Sequence, residues 1–406
     1  MQTPASNRKN TGILFFTMIV VMLGFGIVIP ILPFYVESYD AGGTELGFLM
    51  ATFAVMQFLF SPVWGDLSDR HGRKPFLIVG TLGNGLAMLL FGLSTELWML
   101  FAARALAGIL SAATLPTAMA YIGDSTSAAD RGKGMGIIGA AMGVGMVLGP
   151  GLGGWMGGIS LAAPFFLSAG VSVVAAVLIL LALPESLPKE KRVATDGKKI
   201  QGPQLQAMWK ALFSPIGILL ILAFLLSFGL TNFEGIFGLY ALERFDYGPQ
   251  QVGLLLTVIG LTSAVVQGVL TGPLTQRWGD VTVIRAALLG SGLGFGLMLL
   301  AYDFITVLLT VSIFVLSTAL LRPSVSSLTS KRAVGGQGMA MGLNNSFMSL
   351  GRIVGPIWAG LVFDANIMLP YLTGAIVMLI GFSVSVVWLK KDAPVAQEVA
   401  KVPVMD

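Results

Sequence analysis

The sequence predicts an all-α membrane protein whose twelve transmembrane helices form two pseudo-symmetric six-helix bundles, and three observations carry that prediction. The 406 residues are 55% hydrophobic and 11% charged, with a mean hydropathy of +0.85, whereas charged residues make up about 25% of a soluble domain. Apolar runs of the ~20 residues needed to cross a hydrocarbon core recur along the whole chain. Motifs of the first half also return in the second at an offset near 206 residues. The 52 glycines fit this class, because glycine lets membrane helices approach closely.

The first run, at 12–36, follows Arg8 and Lys9 as a signal peptide would. It is too long for an h-region and no small-residue cleavage site follows, so it reads as a retained span. Spans two and three, at 45–64 and 75–93, flank a polar turn, GDLSDRHGRKP (65–75). Span four (97–121) contains Arg104, span five (134–157) carries a glycine-rich stripe, and span six covers 161–183. The polar segment 184–206 then separates an N-terminal bundle (1–183) from a C-terminal one (211–392), with a cytoplasmic linker at 184–210 and a cytoplasmic tail at 393–406. Spans seven to twelve follow at 214–241, 250–271, 283–302, 304–328, 337–362 and 369–389. GDLSDRHGR at 65–73 returns as GPLTQRWGD at 272–280, and GMVLGPGLGG at 145–154 returns as GRIVGPIWAG at 351–360, which marks internal duplication.

Lys and Arg stay on the cytoplasmic side of a membrane. With the N-terminus inside, 20 of the 24 basic residues, counting Arg285 at the inner end of span nine, fall on the inside, Arg244 alone lies in an outside loop, and Arg104, Arg322 and Arg352 lie deeper within spans. Both termini are therefore expected in the cytoplasm, and the pI near 9.3 reflects inside loops rather than a nucleic-acid surface. The absence of Cys excludes disulfides and thiolate metal sites, and a single His does not make a zinc site. No G-x-x-x-x-G-K-[ST] signature and no clustered acid/base set is present, so neither an ATPase nor a membrane-embedded enzyme is expected, and no cofactor.

Within GDLSDRHGRKP, Gly65 and Gly72 permit a sharp return, Asp66 and Asp69 can accept hydrogen bonds from helix ends, and Arg70, Arg73 and Lys74 hold the turn inside. An orientation signal needs only the cations. The interleaved carboxylates point to specific partners, and Asp124, at the inner end of span four, is expected to face Arg70 or Arg73.

GDLSDRHGRKP resembles the loop signature of the major facilitator superfamily, and GMVLGPGLGG resembles the span-five signature of its drug/proton antiporters. Arg104 in LFAARALAGILSAA is similar to the span-four arginine of that family. LLSFGLTNFEGIFGLY (225–240) and LLRPSV (320–325) resemble bacterial quinolone-resistance-type multidrug exporters. The resemblance covers nearly the whole chain. It implies a multi-pass protein of the bacterial cytoplasmic membrane, acting as a monomer, that exports lipophilic, cationic compounds in exchange for protons. An exporter of one physiological solute, such as a sugar, a siderophore or a lipid, is the alternative on the same fold. It also implies that the stripe of Gly145, Gly149, Pro150, Gly153 and Gly154 packs against span eight or eleven of the second half and seals the inward route. Read from the residues alone, ordinary small-residue packing explains the stripe as well.

Glu234 is the sharpest signal, because charge at mid-bilayer costs at least ~2.5–3.5 kcal/mol and should face a partner or a wet cavity. It lies in span seven, seven residues short of Ala241 and so roughly 10 Å below the outer boundary. Proton and organic cation can compete for such a carboxylate, although pairing with an arginine is an alternative. Phe228, Asn232, Phe233, Phe237 and Tyr240 surround it and are candidates for the substrate cavity. Arg104 and Arg322 could hold water, proton or substrate groups, and Arg322 could instead snorkel to the inner surface. Arg352 is expected to pair with Asp66. The quinolone-type family often carries a second carboxylate where Ala319 stands here. Glu234 therefore works alone, the coupling ion binds elsewhere, or Na⁺ replaces H⁺.

Overall fold

A computed structural model describes residues 4–127, 130–192, 205–333 and 336–389. The tail expected at 393–406 and part of the linker lie outside the described residues. Among the described residues, twelve helices are long and apolar enough to cross a membrane. They are Lys9–Glu37, Gly43–His71, Lys74–Gly92, Leu97–Ser125, Arg131–Gly157, Ala163–Ala182, Gly217–Phe245, Pro249–Trp278, Asp280–Met298, Phe304–Lys331, Gln337–Ala365 and Leu369–Trp388, spans one to twelve. Span four breaks into Leu97–Ser111 and Thr114–Ser125, and span eight carries a π-turn at Val266–Leu270. A short helix, Leu205–Leu212, precedes span seven.

The segment 65–75 is not a loop for most of its length. Span two continues as helix through His71, and the reversal falls at Gly72 (φ 108°) and Arg73. The Asp66–Arg70 pair, four residues apart within the helix, supports the extra turns, while Asp69 reaches across the reversal to Arg73. Gly65 therefore sits within a helix, with open space where a Cβ would stand, and takes no part in the turn. The second half repeats the arrangement: span eight runs to Trp278 and turns at Gly279 (φ 77°).

In the first half, span one packs on span five, and span three on spans four and six. In the second, span seven packs on span eleven, and span nine on spans ten and twelve. The halves meet chiefly where span two lies on span eleven and span five on span eight. At one contact, a Cβ on Gly47 would overlap the Pro356 carbonyl and lie 3.3 Å from Gly360 Cα. At the other, a Cβ on Gly253 would lie 2.6 Å from both the Pro150 carbonyl and Gly154 Cα. Gly47 and Gly253 are 206 residues apart, as are Pro150 and Pro356, and Gly154 and Gly360. The duplication thus built two equivalent seals.

Both seals lie at the end of the bundle opposite the 65–74 segment and the interhalf linker. We call that end the far end, and the other the basic end. Span five meets span eight as far as Val147 and Gly260. Beyond it, toward the basic end, Gly143 and Gly136 on one side and Gly268 and Gly272 on the other have nothing within 4 Å of a Cβ. Spans two and eleven part similarly: Gln57 reaches Arg352, whereas Gly65, Gly342 and Gly338 are open. The halves form a cleft closed at the far end and open at the basic end.

The glycine stripe of span five has two faces. Gly145, Gly149 and Gly153 lie on span one of their own half, where a Cβ on Gly149 would fall 2.7 Å from Gly26 Cα. Of the predicted set, Gly154 and the Pro150 carbonyl meet span eight, joined by Gly151 against Thr257 and Gly158 against Gln250. The expectation that the whole stripe faces the second half is corrected accordingly. Residues four apart share one face of a helix, and Gly154 is turned about 100° from Gly153 at 3.6 residues per turn. Gly149→Val should then destabilise the first half by about 1–3 kcal/mol through overpacking, while Gly143→Val should change stability by less than about 0.5 kcal/mol. Thermal unfolding in detergent checks this, and equal losses at the two positions would contradict the two-face assignment.

Candidate functional site

The apex of the cleft is polar. Glu234, on span seven, lies within electrostatic reach of Arg352 on span eleven and Arg322 on span ten. None of the ion pairs found among the described residues involves it. Arg322 is exposed although it lies in the interior of its helix, so its side chain faces the open cleft. Arg352 donates to Gln57 Oε1 at 3.3 Å, a contact between the halves. The expected Arg352–Asp66 pair does not form. Asp66 bonds Arg70 at 2.8 Å, and it lies nine residues, about 13 Å, from Gln57 along span two.

Arg104 is buried one turn of span two farther along. Its guanidinium donates to Met50 Sδ at 2.8 Å and lies 5.4 Å from the centre of the Phe53 ring and 5.9 Å from that of Phe91. No carboxylate pairs with it among the described residues, and its Nε is buried without a hydrogen-bond partner. Cation–π contact is the main compensation for a guanidinium removed from water here. Phe53, which also touches Phe25 at 5.5 Å, is partly exposed, whereas Arg104 is 2% exposed. Arg104 is thus beneath the cavity wall rather than in it.

The predicted aromatic lining is corrected. Phe233 and Phe237 are 0% and 1% exposed. Phe233 packs 4.9 Å from Phe237 and 5.2 Å from Phe314, inside the second bundle. Tyr240 lies 4.3 Å from Tyr371, Asn232 donates to the Pro370 carbonyl at 2.9 Å, and Phe228 stacks on Phe224. Between Leu226 and Ala241 only Leu230, Thr231 and Glu234 are partly exposed, and they form the cleft face of span seven. Neighbours in sequence point about 100° apart on a helix, so proximity to Glu234 did not place a ring beside its carboxylate. Gln57 escaped the sequence reading, although an amide amid the apolar run ATFAVMQFLF was its visible signal.

At the basic end, Arg73 binds Asp124 at 2.9 Å through Nε and also pairs with Asp69, as the interleaved carboxylates suggested. Burial opposes the Arg73 charge, but the hydrogen bonds and attraction from Asp124 and Asp69 outweigh it and hold the guanidinium above its usual range. Glu185 of the linker accepts from the backbone N–H groups of Arg73 at 2.8 Å and Lys74 at 3.2 Å, capping span three. Sequence reasoning did not find Glu185. The corresponding pair in the second half is Asp280 with Lys331. Each position is 207 residues from its counterpart, and the polarity is reversed: Arg73 corresponds to Asp280, and Asp124 to Lys331.

Comparisons with known proteins agree with this architecture. The profile of the Major Facilitator Superfamily matches residues 14–248 and again 219–404. Multidrug resistance protein 2 of Bacillus subtilis is 32% identical over 379 residues, 93% of this chain and 95% of that one. Quinolone resistance protein NorA of Staphylococcus aureus is 29% identical over 93% of this chain and 95% of its own. The human organic anion transporter MFSD10 has the same fold, with a TM-score of 0.70, 24% identity, and coverage of 95% of this chain and all of that one. The nucleoside transporter NupG aligns with a TM-score of 0.77 at 16% identity over 94% and 99% of the two chains.

The reversed pair supplies a test. Asp124→Ala should cost about 2 kcal/mol, because a buried guanidinium loses a charged hydrogen-bond partner, and should lower the melting temperature. Combining Arg73→Asp with Asp124→Lys copies the second half and should recover at least half of that loss. A double variant less stable than Arg73→Asp alone would contradict the equivalence of the two clusters.

Proposed function

The chain belongs to the Major Facilitator Superfamily, a family of membrane transporters, and on that premise we propose that it exports lipophilic compounds in exchange for protons by alternating access. The observation that carries this reading is the placement of Glu234: the one carboxylate deep within the spans stands at the apex of a cleft whose far end is sealed. The relatives named for multidrug and quinolone resistance support lipophilic drugs as the substrate class. The basic end is the cytoplasmic one, with both termini there, in the cytoplasmic membrane of a bacterium. The cleft therefore stands open to the cytoplasm, and one chain suffices as the working unit.

Glu234 takes a proton when the far end opens and loses it when the cleft faces the cytoplasm. A compound with a cationic centre competes with that proton for the same oxygens. The compound's entry thus requires the proton's departure, and this exclusion is what couples the two fluxes. Leu230 and Thr231 present a mixed apolar and hydroxyl surface beside the carboxylate, while Arg322 and Arg352 offer donors to acceptor groups. The positive charges of Arg322 and Arg352 also keep the emptied carboxylate from requiring another counter-ion. A membrane potential near 100 mV supplies ~2.3 kcal/mol for each charge moved. Ala319 leaves Glu234 as the single exchange group in this part of the cleft, so one proton per cycle is expected to pass through it.

Glu234→Gln keeps the side chain's size but cannot exchange a proton. In proteoliposomes under an imposed pH gradient, efflux of a cationic dye should fall at least tenfold, and proton release on dye binding in detergent should vanish. Retention of both by the variant would overturn the coupling role. Gradient-driven efflux that depends on Na⁺ instead of H⁺ would overturn the choice of ion.

A further inference from the structure

The start of span two is capped by a residue of the other half. Asp364, at the far end of span eleven, accepts hydrogen bonds from the backbone N–H of Gly43 at 2.8 Å and of Thr44 at 2.9 Å, and from the Thr44 hydroxyl. The preceding N–H, that of Gly42, is met locally by Glu45 at 2.9 Å. The first N–H groups of a helix have no partner within it and carry its partial positive charge, so a carboxylate is the strongest available cap. Most helices take that cap from their own chain segment. Span two takes it from 320 residues away, across the interface that closes the far end.

The equivalent place in the other seal is built differently. Offset by 206 residues, Asp364 corresponds to Gly158, and Gly43 and Thr44 correspond to Pro249 and Gln250. Pro249 has no N–H to donate, and Gly158 has no side chain, with the Gln250 amide standing where its Cβ would be. The span five–span eight seal is thus packing alone, whereas the span two–span eleven seal is packing plus a charged cap. Asp364 also lies within electrostatic reach of Glu243 on span seven of its own half, a like charge. The cap is exposed at the surface, so water can take over both partners when they separate. This is the arrangement of a reversible latch rather than of a permanent structural tie.

We propose that Asp364 is a positioning residue of the transport cycle: docked on the N-terminus of span two it holds the far end closed, and it must let go each time that end opens. The proposal rests on the alternating-access reading. It predicts that weakening the cap changes which state the protein occupies without removing any group from the substrate site.

The chain has no cysteine, so two introduced thiols report without background. Ser38→Cys and Met368→Cys place spin labels on either side of the far end. Lys133→Cys and Gln337→Cys do the same at the basic end. Asp364→Ala should raise the fraction of long far-end distances at least fivefold in detergent. Thr44→Val, which removes only the hydroxyl contact, should raise it by a smaller factor, and Asp364→Glu should restore part of the closed population. An Asp364→Ala distribution identical to that of the parent would overturn the latch, as would a Thr44→Val shift in the opposite sense. If the far end lengthens while basic-end distances stay unchanged, the latch stands and alternating access fails.

Discussion

Everything in this molecule depends on two places where backbones of opposite halves touch. Gly47 meets Pro356 and Gly360, and Gly253 meets Pro150 and Gly154. With no lipid-excluding hydrophobic force between membrane helices, association relies on van der Waals packing, and residues without side chains let it reach its shortest range. These contacts fix the distance between the halves at one end and leave the other end free. The cleft, its polar apex and the exposure of Arg322 follow from that asymmetry. Because the contacts are flat and carry few hydrogen bonds, they can separate without leaving many buried polar groups unmet. Other glycines of span five, on a different face, receive span one at Gly145, Gly149 and Gly153 and hold the first bundle together.

Charge in the interior is distributed just as unevenly. Each half closes its own basic-end cluster, Arg73 with Asp124 and Asp280 with Lys331, in opposite polarity. Opposite polarity at equivalent places means that the two clusters can attract one another when the basic ends approach, whereas a strict repeat would set like charges face to face. Deeper in, three guanidiniums, those of Arg104, Arg322 and Arg352, are set against the single carboxylate of Glu234. Arg104 is insulated by Met50, Phe53 and Phe91, so the cleft itself presents two cations and one anion. On the proposed mechanism a transported compound meets both kinds of charge at once, and the protonation state of Glu234 sets the balance.

The twelve spans were legible because hydrocarbon length imposes a long apolar run on each, and the duplication was legible because two motifs recur at one offset. The Arg73–Asp124 pair was legible in part: the interleaved charges of the turn pointed to specific partners, and Asp124 was expected against Arg70 or Arg73, of which it meets Arg73. What failed was azimuth and axial height. Phe233 and Phe237 flank Glu234 in sequence but turn into the bundle, and span seven is apolar all round, so no periodicity marked its cleft face. Arg352 was matched with Asp66 by charge alone, although the two lie at different depths. The boundary of span two was missed because a charged i,i+4 pair, Asp66–Arg70, sits in a helix that runs past the point where hydropathy ends. The cap of span two by Asp364 had no local signature, since its donors and acceptor lie on different halves.

The central claim is that the far-end seal opens in every cycle while the site at its base stays intact. A Cβ built on Gly151 lies 3.9 Å from the Thr257 Cβ across the span five–span eight seal, close to the mean separation of about 3.8 Å in a disulfide. Gly151→Cys combined with Thr257→Cys therefore permits a lock that forms on oxidation and releases on reduction. The account predicts that the oxidised protein binds a lipophilic dye from the basic end with affinity close to that of the reduced form, yet shows no transport in proteoliposomes, and that reduction restores flux. Undiminished transport by the fully oxidised protein would contradict it.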